Sequence, residues 1–218
     1  MIIADYDSLI ASVKSYAARS DSSFNTALPV FVGLAEERLY NGQKDPGGNS
    51  GLDSDPLRIS VMETSATLTL TSGAATLPDT YLAMRALARS GDTIGLKYLP
   101  PERQLVQIEI ESAGTPVWYS IQGATLSVVP VWSGTLTAIY YQRFPAITSS
   151  NKTGSLMSAA GLCYLEATLI EAFAWMREPE IALGHAAKLR GMIGGINRSA
   201  TELRYSGPLR VRQRMAVP

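Results

Sequence analysis

Leu28-Pro-Val-Phe-Val-Gly-Leu-Ala-Glu-Glu-Arg-Leu-Tyr40 is the stretch that decides how the chain is read. Pro29 suits the first turn of a helix, where its missing N–H costs nothing and its φ is already helical. Phe31, Leu34, Ala35 and Leu39 recur at spacings that place them on one helical face, an apolar stripe for resting on a core. Glu36, Glu37 and Arg38 fall on the remaining surface. Alone, this is an ordinary amphipathic helix, and its neighbours along the chain give it meaning. Upstream, Tyr6, Leu9, Ile10, Val13, Tyr16 and Ala17 follow the same 3–4 spacing, with Asp5 as N-cap and a break at Ser20 to Ser23.

Downstream comes a loop from Asn41 to Pro56, whose four glycines and two prolines exclude regular structure. The chain then turns β-rich. Thr64 to Thr71 alternates hydroxyl-bearing with apolar residues, the pattern of a half-buried strand. Tyr81 to Arg89 and Ile94 to Tyr98 flank Ser90-Gly-Asp-Thr93 as a predicted hairpin. Pro100 and Pro101 open a short helix through Val106. Val117 to Ile121 and Leu126 to Val129 read as a second hairpin, and Thr135 to Arg143 as the last long strand. From Gly154 the sequence is helical again. Leu156, Leu162, Leu165, Leu169, Ile170, Phe173 and Trp175 surround one helix with apolar side chains. Glu178-Pro179 breaks it, and a second helix carries Ile181, Leu183, Leu189, Ile193 and Ile196.

The helices at the two chain ends have only each other as large apolar partners. The expected fold is therefore α+β: a helical bundle of residues 1–57 and 146–197, with a small antiparallel β-sandwich or barrel of residues 58–145 inserted. Residues 198–218 are expected to form an extended basic arm. The arm holds five arginines against Glu202, a net +4, which leaves −4 on the rest of a neutral chain.

This order of elements resembles the head-to-tail adaptor proteins of short-tailed phages, the group that includes the tail tubular protein A type. The resemblance rests on Pro29-Val-Phe-Val-Gly-Leu-Ala-Glu-Glu-Arg-Leu39, Met62-Glu-Thr64, Ala66-Thr-Leu-Thr-Leu70 and Leu77-Pro-Asp79 with Met84-Arg85. Gly114-Thr-Pro-Val-Trp-Tyr-Ser-Ile121 and Tyr140-Tyr-Gln-Arg-Phe-Pro145 extend it. The chain departs from the pattern in its Gly-rich 41–56 loop and its basic end after Ile196. The resemblance implies a structural virion protein of the tail and neck, made in the host cytoplasm. Its copies would form a dodecameric ring between the portal protein and the tail nozzle protein, with DNA crossing the lumen without specific binding. It also implies a terminal arm as anchor. Here that arm would present Arg204, Tyr205, Leu209, Arg210, Val211, Arg212 and Arg214 to the portal or a neighbouring subunit, the arginines meeting carboxylates. A basic tail held on DNA is the competing reading of the same residues.

Composition agrees with a folded chain that buries surface against partners: 46% hydrophobic and only 17% charged residues over 218 positions. A formal net charge of zero gives no global attraction to nucleic acid or anionic membrane. The N-terminus lacks the basic and apolar regions of a signal peptide, and no run of about 18 apolar residues predicts a membrane span. Asn151-Lys-Thr153 and Asn197-Arg-Ser199 then read as chance triplets.

The residue types of catalysis are sparse. His185 is the only histidine and Cys163 the only cysteine, too few for a zinc site. His185 sits among alanines and glycine on a helix, and Cys163 lies in an apolar run without a nearby cation to stabilise a thiolate. Glu36 and Glu37 are adjacent on a helix and diverge. Glu109 and Glu111 alternate with isoleucines, which reads as a solvated strand face. Asp45-Pro-Gly-Gly-Asn-Ser-Gly51 lacks the Gly-Lys-Ser/Thr of a phosphate loop, and Asp53 with Asp55 gives no complete calcium series. No enzyme activity, cofactor or metal is expected. The alternative function is a carbohydrate-binding or receptor-binding tail component, which would expose Trp118, Tyr119, Trp132, Tyr140 and Tyr141; the adaptor reading packs them.

Overall fold

The computed structural model describes residues 3–44, 51–92, 95–110 and 114–204. It divides into two compact units, Met1–Val61 with Pro145–Pro218, and Met62–Phe144.

The first unit is helical. In α1 (Tyr6–Ala17), Asp5 and Ser8 form a reciprocal capping box, and Ala18 closes the helix in the left-handed region at φ 48°. In α2 (Ser22–Asn41), the Asp21 carboxylate accepts from the Phe24 N–H at 3.1 Å. The two long C-terminal helices, called α4 and α5 in chain order, span Ser155–Trp175 and Pro179–Arg204. The α4 helix packs against α1, α2 and α5, so both chain ends share one core. Leu9, Val13, Phe24, Leu28, Phe31, Leu39, Leu165, Leu169, Leu189 and Ile193 fill it. The Tyr6 N–H donates to the Lys152 carbonyl at 2.8 Å, fastening the start of α1 to the approach to α4.

Several expectations change here. Pro29 does not open α2 but is its eighth residue, exposed on a helix that continues through it. An interior proline costs about 3 kcal/mol, and α2 holds because Phe24 and Leu28 are buried before it and Phe31, Val32 and Ala35 after it. Leu34 leaves the predicted stripe and is exposed, while Glu36 and Arg38 are buried. By length and composition α4 meets the description of a membrane span that the sequence did not predict. Yet 72% of its most apolar window is buried against its neighbours. It bends at Ala160, where φ and ψ leave the helical region. The predicted arm begins too early: α5 runs to Arg204, because Arg198, Ala200, Glu202 and Leu203 are acceptable helix formers and no glycine or proline interrupts before Gly207-Pro208.

The second unit is a two-sheet sandwich. Its strands are β1 (Glu63–Leu70), β2 (Ala74–Thr76), β3 (Tyr81–Arg89), β4 (Lys97–Tyr98), β5 (Trp118–Gln122), β6 (Thr125–Val129) and β7 (Gly134–Gln142), with α3 (Pro101–Ile110) between β4 and β5. One sheet has the order β1-β7-β3, the other β2-β6-β5-β4. Their inner faces meet in one cluster around Leu68, Leu87, Leu126, Val128, Leu136 and Ala138. The helices at both chain ends and this β unit make the fold α+β, as expected.

Two details of the β region differ. The predicted hairpin partners part company: β3 joins β7, whereas β4 crosses to the other sheet and pairs with β5 in parallel. Among the described residues an isolated Ala88–Gly95 bridge remains where the hairpin was expected. The short helix is longer than expected, so Ile108, Glu109 and Ile110 are helical and not a strand face. Their apolar–polar alternation is too short to outweigh the helix start set by Pro101.

Candidate docking surfaces

In the helical unit the buried charges do structural work that the sequence periodicity concealed. The Arg38 guanidinium donates to Glu171 Oε1 through Nη2 at 2.6 Å and Nε at 3.1 Å, joining α2 to α4. Its Nη1 reaches the Leu52 carbonyl at 3.3 Å. Glu36 Oε1 accepts from the Ile147 N–H at 3.0 Å and the Tyr164 hydroxyl at 3.1 Å. Burial first, then the Glu36 carboxylate, holds the Tyr164 phenol protonated far above its ordinary value.

The segment that returns from the 41–56 loop is held along its length. Gln43 and Ser54 exchange backbone hydrogen bonds of 2.8 and 2.9 Å, and Lys44 pairs with Asp55 at 2.8 Å. From α5, Arg190 donates to the carbonyls of Gly51 and Asp53, while the Asn197 side chain accepts from the Arg58 N–H and donates to the Pro56 carbonyl. Residues 51–56 of the loop therefore lie along α5. Residues 45–50 are outside the described residues. Gly42 enters the loop at φ 68°, where an added Cβ would stand 2.7 Å from the Ser54 carbonyl oxygen.

The residues inspected for chemistry are built into packing. Cys163 is fully buried, and burial with the nearby Glu166 carboxylate pushes its thiol up to about 11. His185 Nδ1 lies 2.6 Å from Glu166 Oε2, and its ring stacks on Phe173 with centroids 5.3 Å apart. Asp55 is committed to Lys44. Among the described residues no three His, Cys, Asp or Glu side chains converge as metal ligands. Glu109 lies on α3, and Glu111 is outside the described residues.

The surfaces suited to a partner are apolar. A cavity of ≈ 610 Å³ opens beside Ile170, Ala174, Pro179 and Leu183, with the Arg38–Glu171 pair in its wall. Trp175 is half-exposed against Phe24 and Phe31, centroids about 6 Å apart, with Arg19 5.1 Å above its ring. Leu105, Val106 and Ile110 stand out from α3, a helix with no buried residue. The aromatic cluster of the β unit is packed: Tyr140 and Tyr141 are buried, and Trp118, Tyr119 and Trp132 are partly buried.

Of the predicted anchor residues, Arg204 is the last residue of α5. Tyr205, Leu209, Arg210, Val211, Arg212 and Arg214 lie outside the described residues. The apolar ridge on α3 was not anticipated, although Leu105, Val106 and Ile110 at helical spacing were its available signal.

The chain is a two-unit α+β protein that leaves apolar side chains exposed on α3 and beside α4. The sequence matches the SU10 adaptor protein family across residues 4–212, nearly its whole length. The chain belongs to that family, and so is a phage structural adaptor. A comparison with curated proteins finds no match.

Proposed function

We propose that the chain is one subunit of a ring that joins the capsid portal to the tail nozzle and lines the DNA exit channel of a phage neck. The observation that carries this reading is the adaptor-family match over residues 4–212. The mechanism is shape and interface. The helical unit supplies a rigid body cross-braced by the Arg38–Glu171 and Glu36–Tyr164 contacts. A lumen for moving DNA works best without strong cationic character, because each Lys or Arg that neutralises a phosphate adds salt-dependent affinity and slows passage.

The proposed number of copies is twelve, by resemblance to short-tailed phage adaptors. The proposed anchor is the C-terminal arm, with Arg204, Tyr205, Leu209, Arg210, Val211, Arg212 and Arg214 on the portal or a neighbouring subunit. The carbohydrate-binding alternative is disfavoured by the packing of its aromatic platform, since Tyr140 and Tyr141 are buried. Mass photometry of the purified chain, alone and with its portal protein, tests the proposal. The expected result is a portal complex carrying a full ring of added copies. Portals that gain no mass would sink it.

A further inference from the structure

The α3 helix is amphipathic in the inverse sense. Leu105, Val106 and Ile110 are 72%, 59% and 69% exposed. Pro101, Gln104, Gln107 and Ile108, at helical spacing, are its more sheltered positions. No residue of the helix is buried. A surface helix normally turns its aliphatic side to the core. This one packs on β5 and β6 with both its glutamines on the sheltered side and three aliphatic side chains in solvent.

The sheet face toward α3 is polar at its centre. Leu126 and Val128 of β6 enter the core of the sandwich, and Tyr119 and Ile121 of β5 pack on the same cluster. Strand side chains alternate, so the paired residues Ser120 and Ser127 point to the other side. Gln104 donates to Ser127 Oγ at 2.6 Å, which places α3 on that side. Among the described residues this is the one side-chain hydrogen bond from α3 to the sheet. The neighbouring Ser120 hydroxyl is buried without a partner. An unpaired buried hydroxyl is a cost of the closed arrangement, and water relieves it when the site opens. The chain is fastened just before and just after this stretch. The Leu99 N–H donates to the Tyr119 carbonyl at 2.8 Å, and the Val117 N–H to the Val129 carbonyl at 3.0 Å. Pro100 and Pro101 have no N–H to give the sheet, and Gly114 stands at φ 151°, where glycine is favoured.

We infer that α3 is a releasable strap: it lifts off β5 and β6 as one helix, breaking the Gln104–Ser127 bond and admitting water to Ser120, while both sheets stay folded. Three features favour opening. The aliphatic residues of the outer face are already in solvent, so release exposes none of them anew. One side-chain bond is given up, and one unpaired hydroxyl is hydrated in return. Leu99 and Val117 keep their backbone bonds, so the strap stays tethered at both ends and closes again on the same sheet. Burial of Val129, opposite Trp118 on that face, works the other way and keeps the closed form the resting one. Local openings of this kind lie well below the free energy of global unfolding. The strap belongs to the single chain and does not depend on the proposed ring.

Residue-resolved amide hydrogen exchange of the full chain tests this. The α3 amides should exchange together, slower than an unstructured peptide but about 100-fold or more faster than the amides of β5 and β6. Their rate should stay flat in low urea, as a local opening requires, while the sheet amides follow global unfolding. Two substitutions should move the α3 rate in opposite directions. Ser127→Ala removes the bond and should speed exchange several-fold, and Ser120→Ala removes the unpaired hydroxyl and should slow it. Exchange of α3 in step with the sheets would overturn the strap, and so would exchange at the rate of an unstructured chain. If the two substitutions leave the α3 rate unchanged, or shift it the same way, the helix is not held at this serine pair and the inference fails.

Discussion

Arg38 and Glu36 lie two residues apart on α2, and each is buried against a different neighbour. Arg38 is nearly enclosed with Glu171, whose side chain is 18% exposed. A pair of this kind contributes little net stability, since desolvation offsets most of the attraction, but removing one member leaves the other charge uncompensated. Arg38→Ala should therefore cost about 3 kcal/mol or more in urea unfolding. The double change Arg38→Met with Glu171→Leu should cost distinctly less. Equal losses would show that the pair is not coupled. Asp21 offers a pH test. The Arg19 guanidinium, the Phe24 N–H and the Ser23 hydroxyl hold its carboxyl well below its ordinary 3.8. A depressed carboxyl contributes stability that is present above 3.8 and is lost as the pH falls toward the lower folded value. Asp21→Asn keeps an acceptor for the α2 cap and removes the titration. Thermal melts of the variant should show a shallower loss of Tm than the wild type as the pH falls below 3.8; parallel curves would remove Asp21 from the acid transition.

At the scale of elements, the amphipathic spacing in α1 and α2 was legible because a single apolar stripe faces a single core. Phe31 shows the benefit: it is 4% exposed and touches Phe24 and Trp175 at centroid distances of 6.0 and 5.9 Å. Phe31→Ala should destabilise the chain by about 3–5 kcal/mol, measured by urea unfolding; a change near zero would remove α2 from the core. The same spacing misplaced Leu34, Glu36 and Arg38, because periodicity reports hydrophobicity and not partners. A buried carboxylate is legible only once the Ile147 N–H and Tyr164 hydroxyl that satisfy it are in view. In the β unit, turn residues marked the strands well. They could not show that β4 leaves β3 for β5, since pairing across sheets is set by the shared core and not by the turn. The α3 helix was shortened for a related reason: its outward face is apolar, so the usual inward stripe was missing.

At the scale of the whole molecule, a neutral chain separates its charge along its length. Five of its arginines lie after Ile196 against Glu202 alone, leaving the preceding residues at −4. Leu203 and Arg204 still belong to α5, which moves the start of any independent arm to Tyr205. From there, Leu209, Val211 and Met215 alternate with Arg210, Arg212 and Arg214, with Pro208 and Pro218 at the margins. The proposed anchor is this 14-residue segment, whose arginines would meet carboxylates and whose intervening aliphatic residues would enter apolar notches of a partner. Cutting the chain after Arg204 should thus leave the fold and its urea midpoint unaltered while abolishing attachment to portals. The two other readings of the arm give different outcomes in the same experiment. If the arm is held on DNA, the truncated chain binds portals normally and loses salt-dependent affinity for duplex. If it serves a neighbouring subunit, the truncated chain docks on portals singly without completing a ring. Portal attachment at wild-type affinity would show that the anchor lies in the body of the protein.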